Sequence, residues 1–355
     1  MVGKAAMKQF ALIVGLMAGL TLLTALSSES QSQESLNTAL FAALRNNDAA
    51  LALSLLKRGA DVDAGNNGNH LLHGREPPNK ENTCPTPLLE IFAWHKPSVP
   101  LNAPEGRMPE NLLLLKTMLR KGANVNVQDK YGLTPLMLAC LVKYSRSARL
   151  LVDHGADIQA RDIGGATALI YAARSGNYQS VRFLIGRGAD VNAKDNDGRT
   201  ALVEAAEYPD ERSIRFLVEK GADVHVRGKF GMTVLIAAED NHLNSKIIRL
   251  LVNKRVEVNA RDGRHYTALW LAVGEYQADT VGFLLDHGAD VNAQDKNGDN
   301  VLMRAVQCND IDSARLLLAR GADVNVRDHQ GKTALDYAEK NVPIATLLKQ
   351  AGAKE

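Results

Sequence analysis

Apolar positions along the chain fall into short runs separated by polar breaks, and the order of runs and breaks recurs. One passage shows the pattern. Leu169-Ile170-Tyr171-Ala172-Ala173 is a run of apolar and small residues, a polar break follows, and Val181-Arg182-Phe183-Leu184-Ile185 is a second run. The spacing predicts two antiparallel helices, each of roughly ten residues, whose Ala-rich faces permit close approach. Gly188 ends the second helix through the left-handed backbone that glycine adopts at little cost. Asp195-Asn196-Asp197-Gly198 then makes the turn into the next pair of runs.

A Gly-Ala pair marks the end of each passage, at Gly122, Gly155, Gly188, Gly221, Gly288 and Gly321, with outlying copies at Gly59 and Gly352. From 122 to 221 each step is 33 residues, as is the step from 288 to 321. The 67-residue gap between 221 and 288 is two steps plus one residue, and it contains an altered copy, Arg255-Val256-Glu257-Val258-Asn259-Ala260. Between these pairs stands a helix-opening phrase: Thr134-Pro135-Leu136, Thr167-Ala168-Leu169, Thr200-Ala201-Leu202, Thr233-Val234-Leu235, Thr267-Ala268-Leu269 and Thr333-Ala334-Leu335. Thr caps a helix through its hydroxyl, and Pro is tolerated in a first turn. A fixed period of this length means an array of like supersecondary units rather than one central core.

These residues resemble the ankyrin-repeat family. The resemblance covers residues 36–353 and implies an all-α solenoid of about nine helix–turn–helix units with hairpin loops. They divide into an N-terminal unit at 36–64, a unit at 65–129 with two insertions, six regular units over 130–328 and a C-terminal cap at 329–353. The insertions stand out by length. Ala64 to Thr86 spans 22 residues where Ala193 to Thr200 spans 7, and Thr86 to Gly122 spans 36 where Thr200 to Gly221 spans 21. At 65–85 and 95–109 they are either tolerated decoration or functional loops.

Ahead of the array, Lys4 and Lys8 precede an apolar run from Phe10 to Leu26, and Ala25-Leu26-Ser27 offers small residues for cleavage. Residues 1–27 are therefore expected to be a secretory signal peptide cleaved near Ser27, the alternative being an uncleaved anchor. Ser28–Ser35 is expected to be a disordered polar linker. Cleavage removes two Lys from a chain with 42 basic and 40 acidic residues, leaving a neutral mature protein. That balance argues against nucleic acid or an anionic lipid surface as partner.

Catalytic signatures for nucleophilic, zinc-dependent, phosphate-binding or dinucleotide-binding chemistry do not occur. Asp157, Asp190, Asp223, Asp290 and Asp323 occupy the same place in successive units, which marks them for turn and cap hydrogen bonds. His70, His73, Cys84 and His95 cluster around the insertions, but their loose spacing favours a solvated loop over a zinc site. No cofactor is expected. Cys140 falls where other units place Ala and reads as a small buried hydrophobe, and its separation from Cys308 rules out a bridge between the two.

The resemblance further implies that hairpin tips and the outer side of each first helix line one groove. The groove position carries Glu90, Leu138, Tyr171, Glu204, Ala237, Leu271, Arg304 and Tyr337. The tips carry Tyr131, Ile163, Asp197, Phe230, His265, Tyr266, Asn297 and Gln330. Residue type varies freely at both, so packing is not expected to dictate it. Tyr131, Tyr171, Glu204, Phe230, Tyr266 and Arg304 are the expected partner contacts. The alternative for Phe230 and Tyr266 is that they lie down on neighbouring loops. Trp270, with Met137, Ile170, Val203, Ile236 and Met303, stands where the family commonly has His, which predicts an apolar seam in place of a side-chain tie between tip and helix.

Together these features predict a non-enzymatic, monomeric protein-binding module, periplasmic or secreted, with no membrane contact after cleavage. Two other readings remain: a metal- or ligand-dependent activity housed in the insertions 65–85 and 95–109, and a structural envelope scaffold.

Overall fold

The computed structural model describes residues 32–64, 86–93, 111–241, 243–275, 277–338 and 342–354. The signal segment, both insertions and with them His70, His73, Cys84 and His95 lie outside the described residues. Eighteen α-helices form among the described residues. They are divided between two compact units, the first comprising Met1–Ala139 and Arg146–Asp157, the second Cys140–Ser145 and Ile158–Glu355. No helix among the described residues is long and apolar enough to cross a membrane.

In the first unit, α1 (Gln33–Arg45) pairs with α2 (Ala49–Lys57), and α3 (Pro87–Ala93) with α4 (Leu112–Arg120). Helix α1 opens inside the expected linker, because Ser32 caps it by accepting from the Ser35 N–H; residues 33–35 are therefore helix. α5 (Pro135–Leu141) and α6 (Ser145–Asp153) follow.

The second unit alternates first helices α7 (Ala168–Arg174), α9 (Ala201–Glu207), α11 (Val234–Asp240), α13 (Ala268–Gly274), α15 (Val301–Gln307) and α17 (Ala334–Tyr337) with second helices. The latter are α8 (Tyr178–Gly186), α10 (Glu211–Glu219), α12 (Ser245–Asn253), α14 (Ala278–Asp286), α16 (Ile311–Ala319) and α18 (Val342–Gln350). Each first helix packs on the next first helix and each second on the next second, so the unit has two helical layers. Second helices of nine residues agree with the expected ten or so, whereas first helices, of seven residues and of four in α17, are shorter than expected. The small side chains that bring them together, Ala172, Ala205, Ala238, Ala272 and Ala305, are fully buried.

Caps set these lengths. Asn177, Asp210, Asn244 and Asp310 accept from backbone N–H groups at the start of second helices. Thr233 and Thr267 cap first helices as expected, and Asn300 takes the role in α15. Thr167 and Thr200 do not: their hydroxyls are buried without a partner. Gly188 ends α8 at φ 88°, in the left-handed region.

An asparagine ladder joins consecutive repeats within the second unit. Asn192 Oδ1 accepts from the Asp223 N–H at 2.7 Å while its Nδ2 donates to the Gly221 carbonyl at 3.3 Å. Asn259 does the same with Asp290 at 2.8 Å and Gly288 at 2.9 Å. The neighbouring aspartates fold their own turns: Asp190, Asp223, Asp290 and Asp323 each accept from the N–H two residues on.

Candidate functional site

The hairpin tips of the second unit are rigid platforms. At most tips one aspartate closes the turn, as where Asp195 Oδ1 accepts from the N–H groups of Asp197 and Arg199, both at 2.9 Å. Asp262 and Asp328 repeat the arrangement. At the Phe230 tip Gly228 takes that place and the backbone closes on itself, the Gly228 N–H donating to the Met232 carbonyl at 2.8 Å. Tips are also tied to one another: the Asn196 N–H donates to the Gly164 carbonyl at 2.8 Å, Lys229 to Asp197 at 2.7 Å and His329 to Asn297 at 2.9 Å. Side chains at the tips are thus presented from a held backbone, which lowers the entropy lost when a partner docks.

Two of the expected contacts are fully presented. Phe230 is 73% exposed on a left-handed backbone at φ 58°, with the Lys229 ammonium 5.5 Å from its ring. It does not lie down on a neighbouring loop. In the first unit Tyr131 is 51% exposed, with Lys130 at 5.0 Å from its ring. Ile163, at 69%, is a third exposed tip residue.

The groove-position residues are used internally. Tyr171 is half-buried, and its hydroxyl donates to Asp162 Oδ2 at 2.6 Å. Tyr337 does likewise to Asp328 at 2.6 Å, a bond that pushes the phenol up to about 12. These bonds correct the expectation of a purely apolar seam: where His is absent, Tyr one residue on reaches the tip aspartate.

Glu204 is a second correction, for it has no exposed surface. Arg174 of the preceding repeat grips it with two bonds, Nε to Oε2 at 2.9 Å and Nη2 to Oε1 at 3.1 Å. Arg199 Nη1 adds a contact at 3.4 Å and also pairs with Glu207 at 2.6 Å. The hydrogen bonds it donates to Glu204 hold the Arg174 guanidinium even more firmly protonated than usual. The first unit uses the same device, Arg45 reaching Glu90 at 3.2 Å. The chemistry of both is a buried ion pair between consecutive repeats, with no nucleophile or proton relay.

Tyr266 and Arg304 are brought together. Tyr266 is half-buried and stacks on Trp270 at 5.2 Å and 14° between ring planes. The Arg304 guanidinium lies 6.0 Å from the Trp270 ring and across Gly274, where an added Cβ would stand 2.5 Å from Nη2. Between them opens a recess of about 270 Å³. Glu239 and Arg264 also line it, and sequence reasoning missed both. Glu239 has no exposed surface and neither carboxylate oxygen has a hydrogen-bond partner. Burial pushes its carboxyl up to about 8. The signal was available in the repeat: six residues after the opening Thr or Asn, four other repeats of this unit carry Ala173, Ala206, Val273 and Val306, all buried, and the last carries Glu339, which lies outside the described residues.

No metal-binding group of His, Cys, Asp or Glu occurs among the described residues, and Cys140 and Cys308 are free thiols, Cys140 buried.

The family model for ankyrin repeats in three copies matches overlapping segments at 108–195, 165–228, 202–295, 234–328 and 269–354, and the single-repeat model matches 35–67. The chain belongs to the ankyrin-repeat family. Ankyrin repeats are general protein-interaction modules, which is the class of role that this fold supports. Among solved structures, the ankyrin repeat domain of human ASB11 is similar at a TM-score of 0.55 and 23% identity, over 63% of this chain and 100% of that one. At that identity the likeness shows the fold alone. No curated protein matches the chain.

Proposed function

We propose that this ankyrin-repeat protein is a non-enzymatic binding module, exported to the periplasm or secreted, that holds a protein partner against its hairpin tips. One observation carries the reading: Phe230 and Ile163 stand 73% and 69% exposed on tips whose backbones are fixed. Large apolar side chains on rigid turns cost solubility unless something covers them, and such residues supply much of the energy of protein interfaces. The buried Glu204 and the tied Tyr171 shape that surface from beneath rather than touching the partner. Export rests on residues 1–27, whose charge and apolar run match a signal peptide.

The test is capture from an envelope fraction by the tagged full chain, compared with a Phe230→Ser, Ile163→Ser variant. Loss of the captured protein at an unchanged melting temperature supports the reading, and undiminished capture overturns it. Export is checked on the same culture: the mass of the purified chain should begin near Ser27, in a periplasmic or medium fraction.

A further inference from the structure

The recess beside α11 and α13 contains a group that the fold does not need. Glu239 stands where neighbouring repeats place Ala or Val, and it makes no hydrogen bond. A buried carboxyl without a partner is costly to keep, and a donor from outside the chain removes that cost. We propose that this recess is a binding site for one cationic side chain, a lysine ammonium or an arginine guanidinium of the protein partner, with Glu239 as its counter-ion. This deepens the proposed function and rests on it only for the source of the cation.

Size and charge select the ligand. A volume of about 270 Å³ lies below the roughly 300–1,000 Å³ of pockets that take drug-sized molecules. It is also several times the roughly 30 Å³ share of one water, so a single side chain fits better than a bare ion or a large metabolite. Three acids line the recess, Glu239, Asp240 and Glu275, against two arginines, Arg264 and Arg304. With Glu239 ionised the balance is one negative charge, which a monovalent cation cancels and an anion worsens. Arg264 is already engaged, to Asp262 at 2.8 Å and Asp240 at 3.4 Å. Arg304 is laid over Trp270 and Gly274 and does not reach a Glu239 oxygen. Trp270 and Leu271 offer apolar surface to the methylene stem of the incoming side chain.

Empty, the site holds Glu239 as a neutral acid at pH 7, because burial sets its carboxyl near 8. A cation binds the ionised form, so binding releases a proton and tightens as pH rises, by about tenfold per unit below that value.

The test titrates the mature full-length chain with n-butylguanidinium, whose own charge is constant across the range, and with neutral n-butylurea. Binding is read by calorimetry. The expected result is binding of the guanidinium at least tenfold tighter than the urea, strengthening from pH 6 to 8. Glu239→Gln should lose at least tenfold and flatten the pH dependence; Glu239→Ala, which copies the neighbouring repeats, is the variant to use if Gln misfolds. Equal binding of the urea, or binding unchanged in either variant, overturns the proposal. A blocked Gly-Arg-Gly peptide against its citrulline counterpart tests the source. Discrimination between them supports a partner side chain, whereas binding of the free guanidinium without the peptide overturns that source. Either failure leaves the capture experiment with Phe230 and Ile163 untouched, so the two readings fail separately.

Discussion

The Tyr171 hydroxyl donates to Asp162 Oδ2 at 2.6 Å, and the same carboxylate's Oδ1 accepts from the Ala166 N–H at 2.8 Å. One aspartate thus closes the hairpin tip and joins it to the first helix of its own repeat. Tyr337 and Asp328 repeat the arrangement. In the repeat of α13 an aromatic stack of Tyr266 on Trp270 makes the connection instead. The groove position is therefore a brace for the tip as much as a surface for a partner.

Tyr171→Phe keeps the ring and removes that brace. A hydrogen bond to a charged acceptor contributes about 1.5–3 kcal/mol when buried, and the half-buried setting lowers the expectation to about 1 kcal/mol. Urea unfolding should show that loss. Hydrogen exchange at the Ala166 amide should quicken more than in the rest of the repeat, because the tip loosens locally. An unchanged Ala166 amide would mean that the bond does not hold the tip.

Removing the Glu204 carboxylate should cost more. Breaking a buried pair typically costs about 3–5 kcal/mol, because the partner charge is left uncompensated. Here the partners Arg174 and Arg199 are 27% and 26% exposed and regain some hydration, which reduces the expected loss for Glu204→Ala to about 2–3 kcal/mol. A double-mutant cycle with Arg174→Ala should give a coupling of about 1 kcal/mol or more. Additive losses would show that the two do not act as a pair.

The architecture was legible because it repeats. The 33-residue step, the Gly-Ala pairs and the Thr phrases each recur, and each has a local physical cause in a turn or a cap. The roles at the groove position were not legible from that position alone. Its variation suggests freedom from packing, whereas Glu90 and Glu204 answer Arg45 and Arg174, each seven residues after the opening Thr of the repeat before. Arg304 answers Gly274 in the same way, its guanidinium filling the space that glycine leaves. Covariation between consecutive repeats carried the information, and reading one position down the array hid it. The asparagine ladder is hidden for the opposite reason: Asn192 and Asn259 sit in the most regular phrase of the chain, where a turn alone would account for the regularity.

Glu239 should make stability depend on pH in a definite direction. Its folded-state value is raised from 4.5 to about 8 by burial. The folded chain therefore binds the proton more tightly than the unfolded one between those values. The stability contributed by protonation is full below pH 4.5 and is lost as pH rises through about 8. Glu239→Ala removes this dependence. Its stability advantage over the wild type should be small at pH 4.5, widen towards pH 8 and level off above it, reaching a few kcal/mol. Parallel denaturation curves across that range check it, and a gap constant with pH would show that Glu239 is not buried as a neutral acid.

Arg255 supplies the last prediction. It stands at the helix end where the other repeats of the second unit place Gly188, Gly221, Gly288 and Gly321, and it takes the same left-handed backbone, at φ 60°. A residue with a Cβ pays roughly 1–2 kcal/mol for that conformation, while glycine loses more entropy on folding, by roughly 0.5–1 kcal/mol. The strain is slightly larger than the entropy, and Arg255 is exposed, so little packing is lost with its side chain. Arg255→Gly should therefore stabilise the chain modestly, by about 0.5–1 kcal/mol. The reverse change at Gly221, φ 86°, should destabilise it by about 1 kcal/mol or more even though an added Cβ would meet nothing within 4 Å, since the cost is conformational and not steric crowding by a neighbour. Measuring both variants separates backbone strain from packing: if Gly221→Ala is neutral, strain at this helix end is not what sets the residue, and the arginine at 255 needs no compensation.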